Sequence, residues 1–221
     1  MNRSRLIVAL TLIALLPAES ARADAPPPTL LRMVGVDLPT PRLADSVLLV
    51  IDAQREYFDG RLPLAGMDAS LAQAVALLKR ARAAGAPVVH VVHRADGPLF
   101  NPKGAGYPVI EALRPLPGEP VVEKALANAF AGTGLDKVLQ ETGRRQLIVI
   151  GYMTHNCVSA TTRSALDHGY RATVVAAATA TRNLPDGRGG TLPAALVQAA
   201  NLAALADATA LVVASGADIP E

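Results

Sequence analysis

The chain has 221 residues and a mass of 22.9 kDa, enough for one α/β domain and tight for two. Hydrophobic residues make up 51% and charged ones 18%, so the chain can bury a core; it is not disordered by composition. Aromatic residues are only 3% and Trp is absent, which argues against a nucleic-acid module built on base stacking.

Residues 1–23 have the layout of a secretory signal peptide: Arg3 and Arg5, an apolar run from Leu6 to Pro17, and Ala21-Arg22-Ala23 as a small-x-small cleavage site. The apolar run is short for a bilayer span, though an uncleaved anchor is the alternative. Cleavage would remove Arg3, Arg5, Arg22 and Glu19, leaving 18 basic and 18 acidic side chains and a net charge of zero. The balance offers no basic block for nucleic acid or an anionic membrane. The expected location is outside the cytoplasm, in a bacterial periplasm, with no stable membrane anchor after processing.

Residues 24–45 are rich in proline and read as an extended lead-in. From Ser46 short apolar runs alternate with helical stretches. Val47–Ile51 (VLLVI) is a strand covered on both faces. Asp68 can cap a helix to about Ala84, with Leu71, Val75 and Leu78 at helical spacing and Gly85 as the stop. Further strands are expected at 88–92, 121–122, 147–150, 172–176 and 210–213. Helices are expected from Thr133 or Gly134 to Gly143, from Cys157 to His168, and over 192–206. Residues 215–221 are left as a tail.

Six such strands joined by helical or long crossovers predict a single doubly wound domain over residues 46–214. Its sheet is mostly parallel, in the order 3-2-1-4-5-6, with helices on both faces. Ligands in such folds bind beyond the carboxyl ends of the strands, and strands one and four are neighbours there. That places Asp52, which ends strand one, near the turn of residues 151–157 that follows strand four.

That turn carries the one cysteine of the chain, Cys157, so no intramolecular disulfide can form. A lone thiol in an exported protein is exposed to oxidation and is a candidate reactive group; a buried, inert cysteine is the alternative. At the start of a helix, free N–H groups and the helix dipole favour a thiolate and can hold an oxyanion. Asp52 can act there as a general base, or simply cap a turn. Lys124, after Val121–Glu123, would keep a nearby carboxylate and thiol ionised, but must reach across from strand three. No Gly-x-Gly-x-x-Gly follows the first strand, so a dinucleotide enzyme finds no support.

Three segments together carry a resemblance: IDAQREYF (51–58), EKALANAF (123–130) and GYMTHNCVSATTRSALDHGY (151–170), the last holding Gly-x-x-Thr-x-x-Cys-Val. The chain resembles the isochorismatase-like cysteine hydrolases, among them nicotinamidases, N-carbamoylsarcosine amidase and streptothricin hydrolase. The resemblance implies a catalytic triad of Asp52, Lys124 and Cys157. It also implies a cis peptide at Tyr152–Met153 and an oxyanion hole from the N–H groups of Met153 and Cys157. The implied activity is hydrolysis of an amide, imide or ureido C–N bond in a small molecule through a thioester, without a cofactor, in a homo-oligomer (dimer or tetramer). Gln54, Phe58, His93, Tyr152 and Thr181 are candidates for the pocket wall, with ordinary packing as the alternative.

Two departures from the family pattern bear on the site. Its metal-using nicotinamidases carry an Asp-x-His cluster that this sequence lacks. His90 and His93 lie three apart on a strand and face opposite ways, so no metal is expected. Ala177-Ala178 also stand before Thr179–Arg182 where the family often has Asp-Ala. Two rival functions remain at this level: an isochorismatase proper, which cleaves a vinyl ether and needs no cysteine nucleophile, and a non-catalytic binding or assembly subunit.

Overall fold

The structure, a computed structural model, describes residues 25–221, so the expected signal peptide lies outside the described residues. Strands β1 (Ser46–Ile51), β2 (Val88–His93), β3 (Val121–Lys124), β4 (Gln146–Tyr152), β5 (Arg171–Ala180) and β8 (Leu211–Val213) form one six-stranded sheet. A two-residue pair, β6 (Leu184–Pro185) and β7 (Thr191–Leu192), stands apart from it. All the pairings in the large sheet are parallel, in the order β3-β2-β1-β4-β5-β8, the doubly wound order expected from the sequence.

The continuous apolar runs are explained by two cores. Leu48 and Val50 of β1 pack on one face with Leu77, Leu78 and Ala81 of α2 (Met67–Ala83). Val47, Leu49 and Ile51 pack on the other face against Leu135 and Leu139 of α3 (Leu135–Glu141), Ala165 of α4 (Ser159–Asp167) and Leu205 of α5 (Ala194–Ala208). Every residue of β1 is buried. Burying a Leu or Val on either face contributes about 1.5–3 kcal/mol, and this strand collects that gain on both sides.

Several boundaries differ from the sequence reading, each for a physical reason. Gly66, in the left-handed conformation with φ 69°, takes the N-cap of α2, and Asp68 falls in the first turn, where its carboxylate complements the helix dipole. Leu71 and Val75 are only partly buried; Ala74, Leu77 and Leu78 fill the core. Strand β5 continues to Ala180 because its second half pairs with the end of β4 after a shift in register. Residues 25–45 are not simply extended. A one-turn helix, α1 (Leu30–Met33), docks on α5, and the Leu30 N–H donates to Asp207 Oδ1 at 2.8 Å. Nor are residues 215–221 a free tail: Ile219 is fully buried, and Arg80 of α2 donates to the carbonyls of Gly216 and Ile219. Among the described residues no helix is long and apolar enough to cross a membrane.

Candidate active site

Four elements end at one point beyond the carboxyl edge of the sheet. β1 ends in Asp52, whose φ of 48° is left-handed and rare for a residue with a side chain. Such a conformation is held only where the surroundings enforce it. Its N–H is anchored on Val91 O at 2.9 Å. The neighbouring strand β4 meets it at Gly151, paired with Ile51. Gly151 has φ 114°, and a Cβ there would lie 1.9 Å from Ile51 O. Glycine is therefore required for β4 to lie this close to β1. The chain then turns through a cis peptide bond at Tyr152–Met153 into a π-helical turn (Thr154–Val158) that continues into α4. Cys157 lies inside this turn and packs into the core on the α4 side.

The third contribution comes from the edge strand. Val122 and Lys124 are the inward residues of β3. Adjacent strands stand about 4.8 Å apart, so Lys124 lies two strand spacings from β1. The lysine side chain spans that gap. Its Nζ sits 2.7 Å from Asp52 Oδ2, 3.2 Å from Cys157 Sγ and 3.0 Å from His93 Nδ1. Asp52 is 0% exposed, Cys157 2% and Lys124 3%. Neither Asp52 oxygen has a partner in hydrogen-bond geometry among the described residues; Oδ2 meets Lys124 as an ion pair.

Burial sets the charges. Desolvation pushes the Asp52 carboxyl above its ordinary range, and the Lys124 ammonium opposes that rise. The Cys157 thiol is pushed up to about 12, first by burial and then by the Asp52 charge, with Lys124 pulling the other way. The helix start and Lys124 favour the thiolate and Asp52 opposes it, as expected from the sequence, and burial is the largest influence on the opposing side. Burial thus favours the neutral thiol at Cys157.

The pocket-wall candidates separate. His93 touches Lys124 and sets its ring edge against Phe100 at 5.1 Å between centroids. Gln54 is fully buried and spent as a strut. Its Nε2 donates to the carbonyls of His93 and Tyr107, and its Oε1 accepts from the His93 N–H. Tyr152 is buried in the α2-side core, edge-on to Tyr57, with Ser70 Oγ 3.4 Å from its hydroxyl. Phe58 is exposed at the end of a 3-10 turn. Thr181 is buried, its Oγ1 2.6 Å from His155 Nδ1, and its carbonyl accepts from the Ala65 N–H. It lines a cavity of about 490 Å³ with Ser70, Gln73 and Gln198. Another cavity, of about 590 Å³, is lined by Arg94, Glu123, Lys124, Leu126 and Gly132, and Asp52 and Cys157 are not in its lining.

Sequence reasoning passed over two residues at the site. Tyr57 is buried against Phe100, and the charges of Asp52 and Cys157 add to burial in raising its phenol above the usual range. Its place five residues after Asp52, in a turn, was the available signal. Phe100, left-handed with φ 55°, lies in the β2–β3 crossover and carried none.

The metal question has an answer in the donor set. Asp52, His93 and Cys157 bring possible ligand atoms within 4.8 Å of one another, a grouping the sequence did not suggest. The Lys124 ammonium is already within 3.2 Å of all three. A metal cation would face that positive charge at contact distance, so the donors fit the ammonium and not a metal. His90 faces the other way and meets Glu119 at 3.0 Å.

Comparison with known proteins shows what the chain as a whole is similar to. The family model described as the isochorismatase domain matches residues 46–214. The chain is 39% identical over 185 residues to the secreted isochorismatase effector Isc1 of Verticillium dahliae, covering 83% of this chain and 95% of that one. It is 36% identical over 168 residues to a streptothricin hydrolase of Streptomyces noursei (75% and 67% covered). It is 34% identical over 146 residues to the maleamate amidohydrolase of Pseudomonas putida (58% and 68% covered). Among solved structures, an isochorismatase from Pseudomonas putida KT2440 superimposes with a TM-score of 0.84 at 44% identity, covering 87% of this chain and 99% of that one.

Proposed function

We propose that this chain, which belongs to the isochorismatase family, hydrolyses an amide, imide or ureido C–N bond of a small molecule with Cys157 as nucleophile. The observation that carries the reading is the shared ammonium. Lys124 Nζ touches both the Asp52 carboxylate and the Cys157 sulfur in a site closed to water. Such contact ties a thiol to a base and steadies the charge that passes between them.

The chemistry follows from proton bookkeeping. Cys157 Sγ attacks the substrate carbonyl carbon as its proton passes to Asp52, so the cluster stays neutral overall apart from the charge that moves onto the carbonyl oxygen. The N–H groups of Met153 and Cys157 are the proposed hydrogen-bond donors to that oxyanion. Collapse of the tetrahedral adduct breaks the C–N bond, and protonated Asp52 returns its proton to the leaving nitrogen. Water then gives a proton to Asp52 and attacks the thioester, releasing the acid and restoring the thiol. Burial raises the Asp52 carboxyl and Lys124 opposes the rise, so the carboxylate is a stronger base for the thiol proton than a solvated one.

The substrate class is supported by relatives named as amide hydrolases, the streptothricin and maleamate enzymes. A vinyl-ether reading is favoured by the relative named as an isochorismatase effector, and it makes no use of the sulfur. Release of ammonia or amine across a panel of linear and cyclic amides and ureido acids, by wild type and Cys157→Ala, separates the two. Turnover that survives Cys157→Ala would end the covalent reading. The sequence of residues 1–23 supports export as the setting for this activity.

A further inference from the structure

We propose that His93 is a positioning residue of this site: its Nδ1 accepts the third N–H of the Lys124 ammonium and so fixes that cation between Asp52 and Cys157. The proposal rests on the hydrolase reading above only for what the fixed cation does, not for the contact itself. An ammonium has three donors and no acceptor. Lys124 Nζ meets one atom on each of three elements: it pairs with the charge of Asp52 Oδ2 at 2.7 Å and is in hydrogen-bonding contact with His93 Nδ1 at 3.0 Å and Cys157 Sγ at 3.2 Å. Two contacts alone would leave a long side chain free to swing about the Asp52–Cys157 axis. The third acceptor removes that freedom.

The fold prepares His93 for this task. In the parallel pairing of β2 and β3, His93 and Lys124 are direct partners, so the two side chains leave neighbouring strands side by side. The His93 backbone is clamped on both sides by Gln54, whose Oε1 accepts from its N–H at 2.8 Å and whose Nε2 donates to its carbonyl at 3.0 Å. Phe100 stands against the ring. This gives Gln54 its role: it holds the holder.

A histidine suits the position on electrostatic grounds. As an acceptor from an ammonium, Nδ1 must be free of a proton, so the ring is the neutral tautomer with its proton on Nε2. Burial, and then the Lys124 charge, depress its protonation to about 4. The titratable groups facing it are Lys124 from β3, Asp52 from the end of β1 and Cys157 from the helical turn. A carboxylate in its place would supply the same acceptor but add a negative charge beside a thiol that must ionise. Neutral imidazole satisfies the donor and leaves the charge balance unchanged.

The test compares His93→Asn, whose side-chain oxygen can stand where Nδ1 stood, with His93→Phe and His93→Leu, which offer no acceptor. Two readouts are used: the rate of Cys157 alkylation by iodoacetamide, which needs no substrate, and kcat and KM on an amide that wild type turns over. The acceptor-free variants should slow alkylation and lower kcat by about 10- to 100-fold with KM little changed, the usual cost of losing a supporting hydrogen bond. His93→Asn should recover most of both. Nitrogen NMR of the four histidines in the wild-type protein reads the contact without any substitution that could misfold. The His93 ring should hold its proton on Nε2 and should not titrate between about pH 5 and 8. A proton on Nδ1, acceptor-free variants that match wild type, or an Asn variant that fails through KM would each overturn the proposal. Turnover surviving in Cys157→Ala would instead sink the hydrolase reading, leaving the alkylation and NMR results to judge His93 on their own.

Discussion

Replacing Lys124 by Met keeps the length and apolar stem of the side chain and removes only the ammonium. In the folded protein that ammonium lies 2.7 Å from a carboxylate that is fully buried and whose Oδ1 has no other partner. Breaking one side of such a pair costs about 3–5 kcal/mol, because the remaining charge is stranded out of water. Asp52 escapes by binding a proton. Its folded carboxyl, already raised by burial, then rises further, while in the unfolded chain it titrates near 3.9. A raised folded value gives stability that is fully present below the unfolded pKa and lost as pH rises through the folded one. The penalty should therefore be small near pH 4 and full near pH 8. The Cys157 thiol, held at about 12 with Lys124 pulling it down, should move higher still, so alkylation should need more alkaline solution. Urea unfolding across this pH range and iodoacetamide rates on the same samples measure both effects. Coincident urea midpoints and coincident alkylation profiles for wild type and variant would refute the ion-pair argument, whatever the activity does.

Asp52→Asn should have the opposite sign on the thiol: with the carboxylate gone and Lys124 in place, alkylation should speed up at a given pH while turnover falls by at least about 100-fold for want of a base. Gly151→Ala should cost at least about 2–4 kcal/mol in urea unfolding, since its Cβ would overlap Ile51 O at a backbone angle that alanine resists. Prolonged EDTA treatment should leave activity unchanged, and metal analysis should find no stoichiometric zinc or iron, because the donors that could bind one are engaged by Lys124. A loss restored by one particular metal would contradict that.

The sheet was legible because its strands are short apolar runs that only a two-sided core explains, and the right-handed crossover rule then leaves few orders. The VLLVI strand and its neighbour β4 carried most of that signal. What stayed hidden depends on contacts between segments far apart in sequence. Ile219 is one apolar residue in a polar end, and nothing local says that it fills the core beside α2 with Arg80 holding its carbonyl. The limit of β5 was missed because Ala176–Ala180 has no periodicity of its own; pairing with Tyr152 across the sheet decides it. Gln54 read as a pocket residue from its place two positions after Asp52, yet its amide is consumed by backbone groups of the β2–β3 crossover that no local pattern reveals.

The charge state of the thiol stayed open in the sequence for a related reason. Position at a helical turn and nearness to a lysine are readable from sequence and favour thiolate, and the nearness of Asp52 opposes it. Depth is not readable, and at 2% exposure burial outweighs them. Burial of the thiol makes the charges of the site coherent. A free thiolate beside Asp52 would place two negative charges next to one ammonium in a dry cluster, which the interior resists. A neutral thiol with an ionised base gives zero net charge, and passing the proton from sulfur to carboxylate changes where the negative charge sits without changing the total. Lys124 touches both ends of that path, so it stabilises the charge wherever it resides, and His93 adds no charge of its own. In the proposed mechanism the thiol therefore needs to ionise only as it attacks, when the developing charge moves onto the carbonyl oxygen, and until then it stays in the form least open to oxidation.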